Sequence, residues 1–115
     1  MASVDESILN SIKKMHGIAP EDTSFDVDII VHINSTLMIL NDLGVGPVGG
    51  FFITDASTTW YQYITNKVMA EAIKSFVYIK VRLLFDPPAS PTIVEALTAS
   101  AKEYESRIIR WAGNM

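Results

Sequence analysis

The sequence predicts an all-α domain: a small bundle of about four helices, with one long Gly- and Pro-containing loop between the second and third main helices. Two observations carry that expectation. Apolar residues recur at spacings of three and four through four separate segments, the periodicity of helices that each bury one stripe. The segments are also bounded by residues that start or stop helices: hydroxyl caps or proline open three of them, and glycine or proline closes three. A chain of 115 residues is expected to make a single domain over 1–115, enough for one core and too little for two.

The first helix is expected from Val4 to about His16, because Ser3 and Glu6 form an S-x-x-E capping box and Gly17 supplies a left-handed stop. Its stripe is Ile8, Leu9, Ile12 and Met15. Thr23 and Asp26 give a second box-like start, and the helix that follows carries Phe25, Ile29, Ile30, Ile33, Leu37 and Leu40 on one face before ending at Gly44. Asp55 or Ser57 is expected to cap a helical turn through Trp60, Tyr61 and Tyr63. The third main helix runs from about Asn66 to Phe85, with Met69, Ala72, Ile73, Phe76, Ile79, Leu83 and Leu84 on one side and Lys67, Glu71, Lys74, Tyr78 and Arg82 on the other. Lys80 breaks this pattern by falling among the apolar residues, where an ammonium must either snorkel to the edge or pair with a carboxylate such as Asp26, Asp28 or Asp86. "DPPASP" stops the helix, since proline cannot continue the hydrogen-bond ladder. Ser90 and Pro91 then start the last one, whose seam is Ile93, Leu97, Ala101, Tyr104, Ile108 and Trp111. On its outer side Glu103 and Arg107 are spaced to pair.

The stretch "GVGPVGG", residues 44–50, reads as G-x-G-x-x-G. A dinucleotide fingerprint needs a strand entering the first glycine and a helix leaving the last. Neither flank fits, so Gly44 is expected to be a helix C-cap, and Gly46, Gly49 and Gly50 to let an apolar loop adopt unusual backbone angles. The loop contains Val45, Val48, Phe51, Phe52 and Ile53 where loops are ordinarily polar. It is read either as a tongue offered to a neighbour or as a flap over its own domain, with "FFIT" as a possible short strand.

Composition narrows the function. A net charge of −4 and a pI near 5.0, with no basic run, argue against a general nucleic-acid binder. The absence of cysteine removes disulfides and thiolate metal sites. "MASVDESILN" has neither the basic nor the apolar region of a secretory signal, and no segment has the apolar length to span a bilayer, so no membrane association is expected. A hydrophobic fraction of 49% and a mean hydropathy of +0.24 exceed what so small a core hides, which points to apolar contact with another chain.

Catalytic signatures are lacking. His16 and His32 stand in no metal-binding spacing, no G-x-S-x-G elbow occurs, and the acids fall at caps and on exposed helix faces. No enzyme activity, cofactor or metal is expected. Trp60 with Tyr61 and Tyr63 is read as a core or interface anchor in preference to a ligand platform.

Whole segments of the chain, "SIKKMHGI", "DTSFDVDIIVHINS", "LNDLGVGP" with "FFITDASTTW", and "YIKVRLLFDPPASP" before a charged C-terminal helix, resemble the head-tail connector proteins of tailed bacteriophages and prophages. That resemblance implies an α-helical adaptor that assembles as a ring of about twelve subunits under the portal after DNA packaging. It would extend the DNA channel and offer a platform to the next connector or the tail. The partners so implied are other copies of itself, the portal protein and a downstream connector or tail protein, with DNA only passing through. The place implied is the head–tail junction of the virion, reached from the host cytoplasm during assembly. Interface candidates are Val45, Val48, Phe51, Phe52, Ile53, Trp60, Lys80, Arg110 and Trp111. Two alternatives are an accessory protein that binds DNA during packaging, which calls for a basic recognition helix, and a small-ligand-binding domain, which calls for a polar pocket.

Overall fold

The computed structural model describes residues 6–113. They form α1 (Ile8–Met15), α2 (Asp26–Asp42), α3 (Trp60–Tyr63), α4 (Lys67–Phe85) and α5 (Pro91–Ala112), the four expected main helices with α3 as a single turn between them. α4 is the central element and packs against α1, α2 and α5. Its Met69, Ile73, Phe76 and Val77 share one continuous core with Ile8, Leu9 and Ile12 of α1, Ile29, Ile33, Leu37 and Leu40 of α2, and Ala101 and Ile108 of α5. Each large side chain so buried contributes about 1.5–3 kcal/mol of transfer free energy.

The helix ends show which local signals acted. The expected helix start at Val4 and the Ser3 of its capping box lie outside the described residues, and Glu6, the box's other member, precedes the helix. Ser7 is the cap, its Oγ accepting from the Asn10 N–H at 3.1 Å. α2 starts one residue after Phe25 with no side-chain cap, so Thr23 does not play the role its spacing suggested; Asp26 and Asp28 instead sit in the first turn, favourably for the helix dipole. α3 is capped by Thr59 in a reciprocal box with Gln62. Asp55 closes a separate turn by accepting from Ser57. Asn66 and Ser90 cap α4 and α5 as their positions require, with Pro91 opening α5.

Gly17 and Gly44 end α1 and α2 by the same device. With φ of +74° and +93°, each turns the chain so that its own N–H reaches the carbonyl two residues inside the helix end and the next N–H reaches one residue deeper: Gly17 to Lys14 and Ile18 to Lys13, Gly44 to Asn41 and Val45 to Leu40. A side chain at either position would be strained. Among the described residues no strand forms: "FFIT" joins no ladder, and the single antiparallel bridge joins Ser7 to Thr59. Around that bridge Ile8 N–H donates to the Thr58 carbonyl and Trp60 N–H to the Glu6 carbonyl, tying the start of α1 to α3.

Candidate interaction surface

The loop after α2 is fixed at both ends and exposed in the middle. Val45 and Ile53 are buried. The backbone of Ile53 is clasped by the Asn34 side chain of α2, whose Oδ1 accepts from its N–H at 2.8 Å and whose Nδ2 donates to its carbonyl at 2.9 Å. Gly46 lies flat on Tyr63, so close that a Cβ there would stand 2.5 Å from the ring carbon Cε1. Phe51 packs on the same ring with centroids 4.9 Å apart. A turn closed by Gly50 N–H on the Pro47 carbonyl then lifts the tip, with Gly49 supplying the positive φ its third position demands. The side chains left in solvent are Val48, fully exposed, and Phe52 at 69%. The segment is therefore packed on its own domain at its ends and exposed at its tip.

The other candidates separate in the same way. Trp60 is wholly buried and donates its indole N–H to Ser11 Oγ at 2.8 Å, which makes it a core anchor with no face for a partner. Lys80 is half-buried, and among the described residues no ion pair includes it; its ammonium snorkels to 5.9 Å above the Phe76 ring. The carboxylates go to two other lysines. Lys13 is 1% exposed and stands 2.8 Å from Asp26 Oδ1 as an ion-pair contact, while its aligned hydrogen bond goes to the Pro20 carbonyl at 3.1 Å. Lys74, placed by its spacing on the solvent side, is buried and held by Glu6 at 2.9 Å, with Glu71 at 3.5 Å. Long aliphatic stems let both lysines count as core while their heads stay paired.

Arg110 and Trp111 lie along a groove between the first turns of α4 and the last turns of α5, of about 420 Å³ and walled by Val68, Ala72, Tyr104 and Ile108, with Arg107 at its edge. Arg107 is held by Glu103 at 3.2 Å, the pairing their spacing foretold. Sequence reasoning did not single out this groove, since α4 and α5 become neighbours there only through the fold. It also missed a second stripe on α2. Val27, Val31 and Met38 are exposed within about 40° of one another around the helix, opposite the buried stripe. That pattern was legible in the apolar spacing of four and seven, and was obscured because the inner stripe explains the helix by itself.

Among the described residues no three His, Cys, Asp or Glu side chains gather to hold a metal, and no helix is long and apolar enough to cross a membrane. The G-x-G-x-x-G glycines follow the carbonyl end of α2, whose partial negative charge opposes a phosphate, whereas a nucleotide loop needs a helix N-terminus. Burial pushes the Tyr63 hydroxyl well above the usual phenol range, consistent with a structural ring.

The model of the phage connector protein family matches residues 8–112, a span that runs from α1 to the end of α5, and the chain belongs to that family. No significant match was found among curated proteins or among solved structures. The family is one of structural proteins, and membership carries a structural connector role in the phage particle, in contact with other head or tail proteins.

Proposed function

We propose that this protein is a head-tail connector that assembles as a ring of about twelve subunits under the portal after DNA packaging, lengthening the DNA channel and presenting a platform to the next connector or the tail. Membership of the phage connector family carries the reading. Its surface supports it: Phe52 and Val48 are held in solvent by a loop whose ends are locked, and a rigid apolar anchor loses little conformational entropy on meeting a partner. The excess of acids, 13 against 9 lysines and arginines, suits a component past which DNA moves without being held. The test is to incubate the purified protein with the portal protein of the same phage and image the complex by electron microscopy. A closed ring seated on the portal is the expected result. Absence of binding to both the isolated portal and DNA-filled heads would overturn the reading.

A further inference from the structure

The loop tip and the α4–α5 groove are complementary in shape, polarity and charge. An engineered cavity of about 150 Å³ holds one benzene, so a groove of about 420 Å³ has room for the Phe52 ring and a smaller apolar neighbour such as Val48. Its walls include Trp111, Tyr104, Val68 and Ile108, the aromatic and aliphatic lining that receives an aromatic anchor. The stretch from Asp42 to Asp55 carries two carboxylates, at its ends, and no lysine or arginine. Arg107 and Arg110 flank the groove.

The two features are separate patches of one subunit. The base of the loop rests on α5, where a Cβ on Gly44 would stand 3.8 Å from the Ala112 Cβ. Arg110, two residues earlier, is about 160° around the helix from Ala112. Ile108 and Tyr104, which also wall the groove, are about 40° and about 80° around α5 from Ala112, so the groove runs along the flank of α5 beside the loop base. Two different surfaces that match each other generate head-to-tail contacts, the kind that close into rings.

From this we infer that the groove between α4 and α5 is the acceptor for the 45–53 loop of a second copy of this chain, with Phe52 entering it and Arg110 at its edge meeting an acid that flanks the loop, while Arg107 keeps its pairing with Glu103. The inference rests on the oligomeric reading above and adds which two surfaces join.

Two variants separate the halves of the contact. Phe52→Asp disables the tongue, and Val68→Asp combined with Arg110→Glu disables the groove; Phe52, Val68 and Arg110 are all exposed, and matching circular dichroism melts confirm that the variants fold. Self-association of the intact protein and of each variant is followed by sedimentation velocity over a wide concentration range. The intact protein is expected to form higher oligomers, and each variant alone to associate about 30-fold more weakly or worse, the loss expected for a central anchor. An equimolar mixture of the two variants is expected to give a dimer that grows no further, since one intact tongue meets one intact groove. If the intact protein associates and the variants associate equally well, or their mixture stays monomeric, the pairing of loop and groove is overturned while the oligomer stands. If the intact protein stays monomeric at every concentration and on the portal, the oligomeric reading fails and this inference fails with it.

Discussion

Gly46→Ala tests whether the loop is held by its fit against Tyr63 or only by its turn chemistry. The backbone at Gly46 has φ +90°, and placing a side chain in that region costs about 1–2 kcal/mol. The new methyl would also stand 2.5 Å from Tyr63 Cε1, with two further ring atoms at 3.3 Å. Tyr63 is only 4% exposed and packs against Phe51, so the ring has little room to retreat, and overpacking of this kind adds about 1–3 kcal/mol. The expected loss is about 2–5 kcal/mol, a large part of the stability of a small domain. Gly49→Ala is the matched control: its φ is +97° and, among the described residues, nothing lies within 4 Å of the added carbon, so it suffers the backbone cost alone. Urea denaturation followed by tryptophan fluorescence and by far-UV circular dichroism gives both values, and the difference between them measures the steric part. Equal losses at Gly46 and Gly49 would refute the claim that the close approach to Tyr63 fixes the loop.

Two further predictions concern buried polar groups. Tyr63 has a buried hydroxyl with no hydrogen-bond partner among the described residues, and burial raises its pKa. Tyr63→Phe is therefore expected to stabilise the protein by about 1 kcal/mol at neutral pH. Because the folded-state pKa is the raised one, the neutral phenol's contribution is complete below the unfolded pKa of about 10 and is lost as pH climbs from there toward the folded value. Denaturation curves from pH 8 to 11 should show the wild type losing stability relative to Tyr63→Phe above pH ~10, and parallel curves would contradict the assignment. At the α1–α2 junction, Asp26→Ala strands the Lys13 ammonium on the Pro20 carbonyl alone. Discounted for the partial exposure of Asp26, a loss of about 2–3 kcal/mol is expected by thermal or urea denaturation. Lys13→Met is expected to cost less, since it removes the charge that Asp26 neutralises; the reverse order would show the pair to be a net source of stability.

Much of the architecture was written in local chemistry. Gly17 and Gly44 end helices because only glycine takes their backbone angle cheaply, and "DPPASP" separates α4 from α5 because proline lacks the N–H a helix interior needs. Those constraints act within a few residues and are legible without a partner. Apolar spacing likewise marked Ile29, Ile33, Leu37 and Leu40 as an inner stripe, and the core contains them. The glycine loop was recognised as apolar and as needing unusual backbone angles, which its glycines take, and the segments that resemble phage connectors pointed to the family that the chain belongs to.

Tertiary structure decided what depends on neighbours distant in the chain. Lys13 and Lys74 became buried and Lys80 stayed at the edge because carboxylates from Asp26 and Glu6 arrive beside the first two, and no helical wheel contains that information. The loop divided into anchored ends and an exposed tip because Asn34 and Tyr63 grip its backbone from two other helices. The groove beside Trp111 exists only where α4 and α5 meet. Helix periodicity and caps are set by torsion angles and hydrogen bonds between near neighbours, so the sequence by itself determined the helices and their order. Which lysines are paired, which apolar side chains remain in solvent and which faces oppose one another depend on long-range packing, and the folded chain alone decided them.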